Sequence, residues 1–260
     1  MGRSVVAAVM LVGLLFVPAR AAPQSDLASA ATAAFGGHDD WTVQRPEAPP
    51  GSRSSGLVAR PITLDISPET LVPLGSQRYA LIALEIDPNP SHADPGAIAV
   101  AYLRRSATGW TLERLWREVT WSGSNGSPAD EITTLTFGAA PMILAAKSDG
   151  GQGQIETSAW IISLSDPGPR LLGDITLAGH LEPDSCPSCT HYSYDGAIFP
   201  PKHARAVLSV LYKGWTVPPN RTRPKTPFSV MVDYREVAGR LMPDRDPHLP
   251  DGLSDRKPGT

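Results

Sequence analysis

Hydrophobic and polar residues alternate along several segments of the chain, and a period of two is typical of half-buried β-strands. Between positions 228 and 237, for example, Phe228 and Val230 fall on one face and Ser229 on the other. The same alternation predicts strands at 61–66, 79–87, 97–105, 204–213 and 228–237. Together these segments indicate an all-β protein.

The segment 137–175 contains three β-rich runs separated by two reversals. Glycines in 148–155 supply the positive φ that a tight turn requires, and Asp166-Pro167-Gly168 forms the second turn. The runs themselves are 142–147, 158–164 and a third that begins at 170–172. Strands joined by such turns predict a β-meander.

The segment 110–121 fits two structures. Apolar residues fall at helical spacing, at Leu112, Leu115, Trp116 and Val119. Acidic and basic residues four positions apart also match the ion pairs of a helix. The strands predicted on either side favour a further strand instead. We therefore predict a strand here and keep a helix as the alternative.

Strand pairs begin near positions 79, 141 and 204, so three similar β-units follow one another. One meander cannot bury its own apolar face, and such units must therefore stack. Three units are fewer than the roughly four to eight blades of a propeller. We predict antiparallel meanders that form a sandwich or irregular barrel, with an atypical propeller-like arrangement of three units as the alternative.

The first 21 residues have the features of a secretory signal peptide. Arg3 precedes an apolar run at 5–17, and Ala19-Arg20-Ala21 matches an A-x-A cleavage site. The apolar run is shorter than a membrane span. We therefore predict a secreted or periplasmic protein with no membrane span after processing.

The remaining boundaries follow from proline and glycine content and from the loss of hydrophobic periodicity. We predict a flexible linker or arm at 22–56, with a weak helix in its first part, and a disordered tail at 244–260. The residues between them, 57–243, are predicted to form a single β domain.

The charge of the chain excludes some partners. Its 260 residues carry 23 basic and 26 acidic side chains. Removal of residues 1–21 takes away two arginines and leaves a formal charge of −5. A surface of this sign attracts neither nucleic acid nor anionic lipid, so we expect neither as a partner.

Two cysteines and two histidines lie in one short segment, at His180, Cys186, Cys189 and His191. In an oxidising compartment, two thiols this close together are expected to form a disulfide. One alternative is a metal site, because two thiolates and two imidazoles can hold zinc tetrahedrally. A redox-active Cys-x-x-Cys is another. We favour the disulfide and expect no cofactor.

Two tryptophans lie beside predicted loops and are candidate binding residues. Trp121 precedes a glycine-rich loop, and Trp215 lies at the start of a long proline-rich loop predicted at 214–227. The sequence contains neither a Gly-x-Ser-x-Gly elbow nor a His-Glu-x-x-His motif. Glu85 and Asp87 offer a carboxylate pair for glycoside hydrolysis, but residues of this kind at a strand end usually face water.

The leading functional hypothesis is a non-catalytic binding protein, secreted or periplasmic, that recognises a protein or glycan partner through long loops on a rigid β-fold. The alternative is an envelope metal-binding, redox or hydrolytic enzyme that uses the region of His180, Cys186, Cys189 and His191.

Overall fold

A computed structural model of the chain describes residues 24–44, 61–92, 94–137, 140–151, 153–181, 186, 188–201, 203, 206–218 and 224–244. The predicted signal peptide, the second part of the predicted arm and the predicted tail beyond position 244 lie outside these ranges.

The described residues form one α-helix and thirteen β-strands. In chain order they are α1 (Gln24–Phe35), β1 (Asp40–Gln44), β2 (Pro61–Gly75), β3 (Arg78–Ile86), β4 (Gly96–Ser106), β5 (Gly109–Ser122), β6 (Glu131–Leu135), β7 (Met142–Gly151), β8 (Gln154–Ser165), β9 (Gly168–Leu181), β10 (His191–Phe199), β11 (Leu208–Val217), β12 (Thr226–Val237) and β13 (Arg240–Pro243).

The strands form two antiparallel sheets in which each strand pairs with its neighbours in sequence. The smaller sheet runs from β1 to β5 and the larger from β6 to β13. The larger sheet curls into a half-barrel. The all-β prediction of meanders in a sandwich or irregular barrel is therefore confirmed. The propeller-like alternative is wrong, because the strands divide into two sheets and not three units.

The smaller sheet is buried on both faces, and strand β4 shows why. Its alanines, such as Ala99 and Ala101, face α1, while Ile98 and Val100 face the larger sheet. Small side chains on one face let the helix approach the sheet closely, and Ala30 of α1 is fully buried there. We call this face of the smaller sheet the helix face.

The larger sheet encloses a core of its own. Side chains from β6 to β13 point into the half-barrel, among them Leu144, Tyr194 and Val232. Strands β7 and β8 also bury their opposite face against the smaller sheet, through residues such as Ile143 and Ile162. We call the face opposite the half-barrel core the outer face.

The segment 110–121 is a strand, β5, as predicted. Its helical spacing of apolar residues has a structural cause, because β5 carries extra residues relative to β4. The pairing shifts between Ile98 and Val100 and again between Tyr102 and Leu103. Each bulge interrupts the period of two, so the buried positions of β5 no longer alternate.

The described part of the predicted flexible arm is ordered secondary structure. Residues 24–35 form α1, and 40–44 form β1, which pairs with β2 from Asp40 opposite Asp65 to Gln44 opposite Pro61. The helix expected in the first part of this segment is present as α1, whereas strand β1 was not predicted. The proline and glycine content of residues 22–56 does not show that Trp41 and Val43 pack against apolar side chains of the smaller sheet.

Candidate functional site

The cysteine segment folds back onto the larger sheet. The sulfurs of Cys186 and Cys189 lie at disulfide distance, 1.92 Å apart. The Nε2–H of His191 donates to the carbonyl oxygen of Cys186 at 2.9 Å, and the backbone N–H of Cys189 donates to the same oxygen at 3.0 Å. His191 is 1% exposed. The turn therefore covers this histidine.

Three predicted site residues share the outer face of the larger sheet. His180 of β9 lies opposite Ser193 of β10, which lies opposite Trp215 of β11. His191 is on the same face, two residues before Ser193. No group of three or more possible metal ligands from His, Cys, Asp and Glu occurs among the described residues.

The second predicted binding residue, Trp121, lies elsewhere. It belongs to the edge strand β5 of the smaller sheet, whereas Trp215 lies in the larger sheet. Lys225 places its ammonium group 3.9 Å from the centre of the Trp215 ring. The structure thus does not bring the two tryptophans into one site.

We expect replacement of both Cys186 and Cys189 by serine to lower the free energy of unfolding by about 2 kcal/mol, because a disulfide closing so short a loop removes little chain entropy. Urea unfolding of the oxidised protein and of the double variant measures the difference. The reduced wild-type protein is the control and should match the variant. An unchanged unfolding midpoint would contradict a stabilising disulfide.

Ser209, His203 and Asp233 lie together, but the histidine does not lie between the serine and the acid as it does in a catalytic triad. The Ser209 hydroxyl donates to Asp233 at 2.5 Å, and Nδ1 of His203 donates to the other oxygen of the same carboxylate. In a catalytic triad the histidine lies between the serine and the acid. The hydrogen bond from Ser209, and next that from His203, hold the pKa of Asp233 below its usual range. This arrangement does not activate the serine.

The helix face contains a group of polar and aromatic residues that we call the Glu85 cluster: Trp41, Glu85, Arg117, Glu118 and Trp121. Glu85 is 0% exposed, and no hydrogen bond of ordinary geometry reaches its carboxyl oxygens or the buried indole N–H of Trp41. The Trp41 side chain and the Glu118 backbone are still close enough to act on the carboxyl as hydrogen-bond donors. Buried polar atoms normally form well-shaped hydrogen bonds, so this arrangement is unusual.

Register and backbone conformation explain how the Glu85 cluster is assembled. Glu85 lies opposite Ala97, which lies opposite Trp121. The bulge in β5 falls beside them, and Glu118 within it has a left-handed φ of 54°. Such a φ is rare outside glycine, and bulges are frequent near functional sites because they redirect side chains.

Contacts within the Glu85 cluster join β1 to β5. The guanidinium of Arg117 lies 3.7 Å from the centre of the Trp41 ring. The indole N–H of Trp121 donates to the Glu118 carboxylate at 3.1 Å. Burial raises the pKa of Glu85 to about 7, and the charge of Glu118 adds to this effect. Hydrogen bonding from the Glu118 backbone, the charge of Arg117 and hydrogen bonding from the Trp41 side chain oppose it. A carboxyl with such a pKa changes charge near neutrality.

A pocket of about 370 Å³ lies where the two sheets meet, and we call it the inter-sheet pocket. It is lined by Arg114 and Trp116 of β5 and by residues 165–170, which comprise the end of β8, the turn and the start of β9. The hydroxyl of Tyr102 donates to the backbone carbonyl of Ser165 at 3.0 Å and so attaches the turn to the smaller sheet.

Most charged groups at the inter-sheet pocket are paired. Arg170 makes two hydrogen bonds to Glu236, and Arg78 bonds both Asp166 and Glu113. Within the described chain Arg114 forms no ion pair. Its guanidinium lies over the Trp116 ring, 4.9 Å from the ring centre. Arg114 is thus the cation that a ligand in this pocket can reach without breaking an ion pair.

Comparison with known proteins adds no family. No protein-family model matches the chain, and searches of curated proteins and of solved structures find no similar protein. Within the described residues, no helix has the length and hydrophobicity needed to cross a membrane. The functional argument therefore rests on the sites themselves.

Sequence reasoning misjudged Glu85 and Asp87. It expected a strand end facing water, whereas Glu85 is fully buried and Asp87 is 6% exposed. Asp87 accepts the backbone N–H of Asn89 at 2.9 Å, as in a turn. One feature of the sequence could have indicated that Glu85 is buried: it shares a face of the strand with Leu81 and Ala83. This shared face indicates burial of Glu85 only once α1 and the Trp41 side chain are known to pack against it.

Proposed function

We propose that this chain is an exported binding protein whose inter-sheet pocket recognises a glycan bearing a carboxylate. The observation that carries the proposal is the guanidinium of Arg114, which lies over Trp116 inside a concave site. Arginine binds carboxylates through paired hydrogen bonds, and stacking on the Trp116 ring holds the Arg114 guanidinium in position for such a ligand.

The dimensions of the pocket agree with this ligand class. Its volume of about 370 Å³ is at the lower end of ligand sites, which suits one or two sugar units better than a folded partner. The site is built from a strand and a short turn, and not from the long loops expected from the sequence. Backbone held by strand pairing loses less conformational entropy on binding than an unpaired loop does.

Export is supported by the signal-like segment 1–21 and by the cysteine pair at disulfide distance. The alternative of an envelope enzyme has less support. The side chain of His191 is committed to the Cys186 carbonyl, and Ser209 lies beside an acid and not a base. We therefore propose binding without catalysis.

We expect Arg114→Gln to weaken binding of a uronic-acid oligosaccharide by about tenfold or more, because a charge-assisted hydrogen bond is lost. Calorimetric titration of the wild-type protein with the acidic oligosaccharide and with its carboxyl-reduced form measures the contribution of the charge. The reduced form should bind equally weakly to both proteins.

The matched control is Arg105→Gln. Arg105 also lies over a tryptophan, Trp110, at 5.4 Å from the ring centre, but it is outside the inter-sheet pocket. This variant should bind the acidic oligosaccharide as the wild type does. Equal losses in both variants, or no binding of the acidic form by the wild type, would overturn the proposal.

A further inference from the structure

The inter-sheet pocket contains a carboxylate of its own, that of Asp166. The side chain of Asp166 is 72% exposed and lies in the wall formed by residues 165–170. In a pocket of about 370 Å³, a ligand carboxylate bound by Arg114 comes close to this second carboxylate, and the two like charges repel each other. Selection of an anionic ligand therefore requires that the charge of Asp166 be balanced.

Arg78 of β3 balances this charge from outside the pocket lining. Its Nη1 donates to both carboxylate oxygens of Asp166, at 2.8 and 3.0 Å. Among the described residues, no other cation forms an ion pair with Asp166. The charge of the pocket wall thus depends on one arginine that the ligand does not touch.

The Arg78 guanidinium is held in place by further contacts within the smaller sheet. Its Nε donates to the Glu113 carboxylate at 2.7 Å, and the group lies 4.9 Å from the centre of the Tyr102 ring. The hydroxyl of the same tyrosine donates to the backbone carbonyl of Ser165, at the start of the pocket wall. Arg78 is therefore directed at the wall before any ligand binds.

Glu113 has a second cationic partner, and this decides where a loss of the Arg78 charge would be felt. Nη2 of Arg104 lies 2.6 Å from Oε1 of Glu113. Without the charge of Arg78, Glu113 would still be paired with Arg104, whereas Asp166 would have no cationic partner among the described residues. The uncompensated negative charge would thus appear at the pocket wall.

We propose that Arg78 determines the charge specificity of the inter-sheet pocket, because it neutralises Asp166 and so lets Arg114 select an anionic ligand. Arg78 acts through Asp166 and is a positioning residue. The identity of the ligand rests on the proposed function, whereas the charge of the pocket wall can be measured without that ligand.

We expect Arg78→Gln to weaken binding of the uronic-acid oligosaccharide about fivefold at low salt, as one uncompensated charge about 4 Å away in water would. The loss should shrink as salt is added, because the pocket wall is exposed. Arg78→Lys keeps the charge and should bind within about twofold of the wild type. The matched control is Arg104→Gln, which removes a charge from the same network without unpairing Asp166 and should also bind within about twofold.

The double variant Arg78→Gln/Asp166→Asn separates charge from mechanical support of the wall. If Arg78 acts by neutralising Asp166, removing both charges should restore oligosaccharide binding to within about twofold of the wild type. If it only holds the turn in place, the double variant should bind as weakly as Arg78→Gln does. The second result, or equal losses in Arg78→Gln and Arg104→Gln, would overturn the proposal.

Collisional quenching of Trp116 fluorescence measures the charge at the pocket wall without the oligosaccharide, because opposite local charges enrich an anionic quencher, iodide, and a cationic one, caesium. The signal of Trp116 is the difference from the same protein carrying Trp116→Phe. Arg78→Gln should lower quenching by iodide and raise quenching by caesium, and the added Asp166→Asn should reverse both changes.

The two measurements distinguish failure of this proposal from failure of the proposed function. Quenching that is the same in the wild type and Arg78→Gln would rule out a role of Arg78 in the charge of the pocket, even if the oligosaccharide binds. The expected quenching changes in a protein that does not bind the oligosaccharide would support the role of Arg78 and reject the carboxylated glycan as ligand.

Discussion

The free energy of unfolding of the wild-type protein is expected to fall by up to about 3 kcal/mol as the pH rises from about 4.5 to about 7, and Glu85→Gln should abolish this part of the fall. The effect arises because folding raises the pKa of Glu85, chiefly through burial.

The direction follows from proton linkage. Below pH 4.5 both the folded and the unfolded chain hold the proton, so the contribution of Glu85 is fully present. Between pH 4.5 and about 7 the folded chain keeps the proton and the unfolded chain releases it, so rising pH favours unfolding. The fall should level off above about pH 7, because the folded chain then also releases the proton.

Urea unfolding at several pH values, followed by circular dichroism, measures this dependence. Other groups also titrate in this range, so the informative quantity is the difference between the wild type and Glu85→Gln at each pH. Glu69→Gln, at an exposed position on β2, serves as the control and should follow the wild type. Parallel curves for the wild type and Glu85→Gln would contradict the burial of a protonated acid.

Gly214→Ala should lower the free energy of unfolding by about 3 kcal/mol or more, because the added methyl group has no space. A Cβ at Gly214 would lie 2.6 Å from Cβ and 2.7 Å from Cα of Tyr194, and it would also meet the backbone carbonyl oxygen of Ser193. These are backbone atoms or atoms next to the backbone, so a change of rotamer cannot relieve the clash.

The clash belongs to a wider arrangement of glycines around tyrosines in the half-barrel core. Tyr194 lies between Gly179 of β9 and Gly214 of β11, its partners in register on either side. Tyr212 lies opposite Gly196 in the same way. Large side chains fill the space that the glycines leave, which keeps the core dense.

The matched control for Gly214→Ala is Gly151→Ala. A Cβ at Gly151 meets no atom within 4 Å, and this residue is likewise in a strand. Thermal and urea unfolding of the two variants should show a large loss for Gly214→Ala and a change within about 0.5 kcal/mol for Gly151→Ala. Equal stabilities would show that the sheet adjusts to the added methyl group at Gly214.

Local patterns predicted strands well wherever one face is buried and the other is not. Strand β12 spans Thr226–Val237, against a predicted range of 228–237. The observed strand ends differ from the predicted ones where glycine or proline lies inside a strand. Strand β11 continues through Gly214 to Val217, although the region from 214 was expected to be a loop. In that strand, glycine makes room for a tyrosine and does not form a turn.

The candidate sites were predictable to a lesser extent. The proximity of Cys186 and Cys189 follows from their spacing, and the structure adds His191 beside them. Trp116 was recognised only as one apolar position of an ambiguous segment. Its role in the inter-sheet pocket depends on the turn at 165–170, which is distant in sequence.

The amino-acid sequence alone determined the strand periodicity, the meander order and the small and large faces of β4, because these depend on neighbours along the chain and on a period of two. Only the tertiary structure decided that α1 and the Trp41 side chain of the edge strand β1 pack against the helix face. That packing turns Glu85 from a strand-end carboxylate into a buried acid with a pKa of about 7. Burial is a property of what packs above a residue, and a sequence segment does not contain that information.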